Sequence, residues 1–186
     1  MKSISIAIYG DFMNRQLTSI SKLIVCLAII LPFSIVALES DREQQVIWSS
    51  DGDSTMSIQG EIRILEMSEN VKVTQGTLEI LGNEAIFEYQ VSTNELTKVT
   101  VHGTPVHYQQ QLNEDGTVVV GTSDTLLFYT DDLDETILEL VGNANIESPD
   151  STMSCAAITY ISERDLIREA TGPCQGMLSS QPTRNP

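Results

Sequence analysis

The 186-residue sequence predicts an all-β fold of short, stacked antiparallel strands. Three observations predict it. Apolar and polar residues alternate in period two: Val71 and Val73 share one face with Lys72 and Thr74 opposite, and Leu78 and Ile80 oppose Thr77 and Glu79. Turn-forming residues punctuate the runs at Gln75-Gly76, Gly82-Asn83, Asn113-Glu114-Asp115-Gly116, Gly142-Asn143 and Ser148-Pro149-Asp150. Beyond residue 37 no segment carries a helix-length amphipathic pattern, and β-branched residues dominate the runs, as strand packing prefers.

Residues 1–37 read differently. Lys2, Arg15 and Lys22 precede an almost wholly apolar stretch, LIVCLAIILPFSIV, and Ala37 follows it. A basic start, an apolar stretch and a small residue describe a secretory signal peptide cleaved after Ala37. Met13 is an alternative start that shortens the leader to a more usual length. The competing reading is a retained membrane anchor at 23–37, but this run is shorter than the roughly 20 residues a span needs and contains Pro32. Cys26 lies inside the apolar stretch rather than after it, so it does not read as a lipidation site.

The opening strand lies at Val46-Ile47-Trp48-Ser49-Ser50-Asp51, and Gln59-Gly60 marks the turn that follows. From Gly76 the chain reads as three related units, each a strand, a polar turn and a returning strand. Tyr89, Tyr129 and Tyr160 take equivalent places in the alignment of these units. Gly103, Gly142 and Gly172 close them, 14, 13 and 12 residues later. Units of this kind bury their apolar faces by stacking, which leaves two open ends. An end strand offers unpaired backbone groups to another copy or another protein. The domain is expected to span 38–178. The polar start (ESDREQQ, 39–45) and the tail 179–186 are expected to fray or to cap the ends.

Composition narrows the function. Apolar residues are 41% of the chain and aromatics 5%, so the core is built mainly from Val, Ile and Leu. Ten basic residues against 26 acidic ones give a net charge of −16. Three of the basic residues and one acidic residue, Asp11, belong to the leader, so the mature chain has 7 basic and 25 acidic residues and a net of −18. A field of that sign excludes nucleic acid and anionic membrane surfaces as electrostatic partners. Cys155 and Cys174 remain after cleavage, and an even pair in an exported chain is expected to form a disulfide, two free buried thiols being the alternative.

Catalytic and metal patterns are missing. His102 and His107 flank Gly103-Thr104-Pro105, read as a turn, and their spacing does not make them converge on a metal. There is no G-x-S-x-G elbow and no phosphate-binding glycine loop. Asp131, Asp132, Asp134 and Glu135, with Glu163 and Asp165, are candidates for paired-carboxylate chemistry on a polysaccharide or for calcium. They fall in turns, where acids are normally solvated. No catalytic residue, metal or cofactor is expected. The remaining resource is the apolar interior, which suits an acyl chain at about 0.8 kcal/mol per buried CH₂.

The stretch NVKVTQGTLEI, residues 70–80, resembles the signature strand pair of the OstA-like (LptA) family. The opening strand with Gln59-Gly60, together with Gly103-Thr104-Pro105-Val106 and Gly142-Asn143-Ala144, resembles further positions of that family, over roughly 43–172. The resemblance implies a β-jellyroll shaped as an open-ended trough, in the periplasm, without enzymatic activity. It implies lipopolysaccharide held by its acyl chains, end-to-end assembly of copies by strand edges, and partners at the inner membrane (LptC-like) and outer membrane (LptD-like). Carried over by position, lipid-lining roles fall on Val46, Trp48, Tyr89, Tyr108 and Phe128. Strand parity adds Ile62, Ile64, Phe87 and Leu126. The unit alignment matches Tyr129 with Tyr89, whereas the family alignment selects Phe128. A membrane-anchored, LptC-like component of the same system and a secreted β-solenoid enzyme are the alternatives. Cys155 and Cys174 lie outside the resemblance.

Overall fold

A computed structural model describes residues 39–112 and 116–179. The leader at 1–37 with Cys26, the turn residues Asn113, Glu114 and Asp115, and the tail from 180 lie outside the described residues. A four-residue helix α1 (Glu39–Arg42) precedes ten strands. These are β1 (Ile47–Ser49), β2 (Ser54–Gln59), β3 (Ile62–Gln75), β4 (Leu78–Gln90), β5 (Leu96–Gln111), β6 (Val118–Thr130), β7 (Thr136–Ser148), β8 (Ser151–Ile161), β9 (Leu166–Thr171) and β10 (Gln175–Leu178). A 3₁₀ turn (Ser162–Arg164) joins β8 to β9. All the strands belong to one unclosed sheet, ordered β1-β3-β4-β5-β6-β7-β8-β10, with β2 also on β3 and β9 also on β8. Every pairing is antiparallel.

The strands from β3 to β7 are 13 to 16 residues long, about twice what the spacing of turn residues suggests. Gly82-Asn83, Gly142-Asn143 and Gly103-Thr104-Pro105 are not turns. They lie inside β4, β7 and β5, where the pairing register shifts. The shifts fall beside one another in successive pairs, near 69–70, 82–83, 103–105, 123–124 and 142–143, so the bulges form a line across the sheet. Glycine and asparagine suit both a turn and a bulge for the same reason. Gly142 and Asn143 adopt φ of 77° and 47°, a region few other residues enter.

A bulge bends its strand and raises the local twist. Two layers result, one on each side of the bulge line. The first contains β1, β10 and the segments 71–75, 78–81, 106–111, 118–122, 144–148 and 151–155. The second contains β2, β9 and the segments 62–68, 84–90, 96–102, 125–130, 136–141 and 157–161. Their inner faces pack together: the rings of Tyr108 and Tyr160 lie 6.5 Å apart, as do those of Trp48 and Phe87. Period-two patterning supplies the core. Val71, Val73 and Ile80 face inward from the first layer, and Phe87, Val101 and Leu126 from the second, all essentially inaccessible. Burying each contributes about 1.5–3 kcal/mol relative to exposure.

The bulge line allows a close backbone approach. A Cβ on Gly82 would stand 2.8 Å from the carbonyl oxygen of His102 on the neighbouring strand. Gly82→Ala is therefore expected to destabilise the chain by about 1–3 kcal/mol, the usual cost of overpacking. The midpoint of urea unfolding measures it.

Both edges of the sheet are split. At one edge β1 pairs with residues 72–74 of β3 and β2 with residues 62–67. At the other, β10 pairs with residues 151–154 of β8 and β9 with residues 157–161. Cys155 and Cys174 are joined by a disulfide between β8 and the residue before β10, with their Cα atoms 4.2 Å apart.

Candidate functional site: an apolar interior reaching both edges

The site is built by strand parity. Leu65, Met67, Val71 and Val73 of β3 face inward, as do odd residues of β4 between 85 and 89, which places Leu65, Met67, Ala85 and Phe87 on the same inner surface. Phe87 forms its centre. The Tyr89 ring stacks alongside at 6.5 Å with a 12° interplanar angle, and Trp48 tilts against it at 52°. Val46, Tyr89 and Phe128 are half-buried and pack against the core, while Tyr108 and Leu126 are buried within it. These seven residues share the interior face.

Ile62 and Ile64 do not share it. They lie on the outer face of β3 with Glu66, because Leu65 and Met67 occupy the inward positions. In I-R-I-L-E-M both parities carry apolar residues, so the alternation is ambiguous there. A one-residue choice then reverses the face. Tyr129 also faces outward, donating a hydrogen bond to Glu139 Oε1 at 2.6 Å, whereas Phe128 faces in with Leu126. The equivalence of Tyr129 with Tyr89 in the unit alignment therefore does not hold in space. Burial, with Glu139 beside it, pushes the Tyr129 phenol up to about 12 from its ordinary 10.0. Below pH 10 this contribution to stability is fully present, and it is lost as pH rises toward 12, because the unfolded chain ionises first. Tyr129→Phe is expected to flatten the fall in urea midpoint between about pH 9 and about pH 11.

The interior reaches the surface at both edges. At the β1/β2 edge Trp48, Met56 and Ile58 are exposed by 39%, 62% and 63% on the inner-face parity. At the β9/β10 edge the half-buried Ile167 and the exposed Leu178 continue the same face. Parity did not single out Met56, Ile58 or Leu178, although Met56 and Ile58, two residues apart in STMSIQ, carry the same period-two signal.

The charged groups hold turns. Asp131 accepts the backbone N–H groups of Leu133 and Glu135 and the Arg168 guanidinium, which holds its carboxyl below the usual carboxylate range. Glu163 accepts the N–H of Thr136, and Glu135 pairs with Arg164. Lys72 and Lys98 are paired with Glu79 and Glu88. His102 Nδ1 meets Thr125 Oγ1 at 3.0 Å, and the exposed His107 lies elsewhere on β5. Among the described residues no cluster of His, Cys, Asp or Glu is arranged to hold a metal, and no helix is long and apolar enough to cross a membrane.

An unclosed antiparallel jellyroll with split edges and a continuous apolar interior is the class that these features define. The LptA/(LptD N-terminal domain) LPS transport protein family matches residues 54–165, and the chain belongs to this family of transport proteins. No curated protein matches the chain. Among solved structures, that of LptH from Pseudomonas aeruginosa, described as the LptA-homologous periplasmic component of the lipopolysaccharide transport device, is similar in fold. Its TM-score is 0.62 at 21% identity, over 77% of this chain and 99% of that one.

Proposed function

We propose that the chain is a periplasmic carrier that holds lipopolysaccharide by its acyl chains between the two layers. Copies of it join end to end, bridging an inner-membrane partner to an outer-membrane one. A single observation carries this reading: the apolar interior runs the width of the sheet and emerges at both edges, where the outer strands are short and exposed. Two copies that pair β1/β2 of one with β9/β10 of the next would extend both the hydrogen-bonded sheet and the apolar face. No basic residue is needed for the acyl chains, since their burial supplies the free energy. The head group would remain in solvent, where salt screens the acidic surface beyond about 8 Å.

The experiment is capture of lipopolysaccharide by the purified exported chain, alongside light scattering over a range of protein concentrations. Stoichiometric capture with concentration-dependent growth in mass is the expected result. A chain that stays monomeric and takes up no lipid, with or without divalent cations, would leave only the fold in common with the family.

A further inference from the structure

The interior is closed along the side opposite the bulges, and the closure is polar. Of the five buried polar residues among those described, four lie there: Asp41, Gln110, Thr136 and Ser162. They surround a gap of about 10 Å³, together with Arg42, Phe128 and Glu163. Gln110, from the first layer, accepts hydrogen bonds at Oε1 from Ser162 Oγ of the 3₁₀ turn beside the second layer (2.6 Å) and from Tyr108 OH (2.9 Å).

The start of the chain crosses this seam. Asp41 accepts hydrogen bonds from Thr77 N–H (2.9 Å), Thr77 Oγ1 (2.5 Å) and Gln110 Nε2 (3.1 Å), all in the first layer or its turns. The next residue, Arg42, reaches the other layer. It donates to Asp134 O and Oδ1, each at 2.8 Å, in the β6–β7 turn, and lies 3.6 Å from Glu163. Gln75 Nε2 anchors the backbone oxygens of Arg42 and Gln44. Gly76 leaves the space Asp41 occupies: a Cβ there would stand 2.9 Å from the Asp41 Cα.

We infer that residues 41–42 are a clasp whose release opens the seam and admits an acyl chain sideways into the interior. This inference rests on the proposed lipid-carrying function. The physical reason for placing the opening here is the difference between the two sides. At the bulge line the layers are joined by continuous backbone. At the seam they are joined by side-chain hydrogen bonds and ion pairs, which water replaces at small net cost. Elsewhere the layers meet through fully buried apolar groups such as Phe87, Val101 and Leu126, so an acyl chain has no space until they part.

The test is the paired variant Asp41→Ala, Arg42→Ala in the full exported chain with its disulfide intact. Its lipopolysaccharide capture rate is compared with that of the unmodified chain and of Ser123→Ala, a buried polar change away from the seam. The clasp variant is expected to capture about tenfold faster, the rate equivalent of one charge-assisted hydrogen bond, and Ser123→Ala at the unmodified rate. Equal rates in all three chains overturn the inference while leaving the carrier function standing. A readout without lipid covers failure of that function. Spin labels on Gln109→Cys and Glu169→Cys, one per layer, are expected to show a longer-distance population in the clasp variant. If no chain captures lipid, that population still upholds the clasp, and an unchanged distance overturns it.

Discussion

Phe128→Glu is expected to lower lipopolysaccharide capture by roughly a hundredfold or more, while Ile62→Glu leaves it within about threefold. A carboxylate among acyl chains costs at least about 3 kcal/mol, which is about two decades of affinity. Both changes add the same charge to a half-buried apolar position of the second layer. They differ in face: Phe128 packs against the core, whereas Ile62 sits on the outer surface opposite Gln90. Net charge and general repulsion of an anionic lipid are thereby held constant. Circular dichroism confirms that each variant keeps its sheet. Equal loss in the two variants would assign binding to the surface and overturn the interior as the lipid site.

Removing the disulfide, as Cys155→Ser with Cys174→Ser, is expected to destabilise the chain by about 3 kcal/mol, the value for a bridge closing a loop of about 20 residues. Its second effect is local. β10 is four exposed residues paired only with β8, so the bond is its principal tether. Hydrogen exchange at 175–178 is expected to accelerate strongly while Val99 and Val101 in the core stay protected. Because β10 forms part of an open edge, self-association in the reduced form is expected to weaken as well. Unchanged exchange at 175–178 would show that strand pairing alone holds β10.

Much of the architecture was legible in the residues. The period-two runs around Val71–Val73 and Leu78–Ile80 are the inner faces of β3 and β4. The polar turns near 131–135 and 162–165 do join antiparallel strands, and NVKVTQGTLEI points to the family that the match over 54–165 shows. These signals are local, since alternation reports which residues share a face within one strand and short motifs report one strand pair.

The remainder was decided by contacts between residues far apart in sequence. Gly82-Asn83 and Gly142-Asn143 suit a turn or a bulge equally, and only the neighbouring strand, pairing on both sides of them, makes each a bulge. In Ile62-Arg63-Ile64-Leu65-Glu66-Met67 apolar residues occupy both parities, so alternation alone assigned Ile62 and Ile64 to the inner face that Leu65 and Met67 hold. The polar start of the chain reads as equally able to fray or to cap an end, yet Asp41 is buried against Thr77, 36 residues away in sequence, and Gln110, 69 away. Alternation in sequence set which residues were able to be buried. The folding of one sheet upon itself, through bulges whose phase depends on neighbouring strands, decided which of them meet.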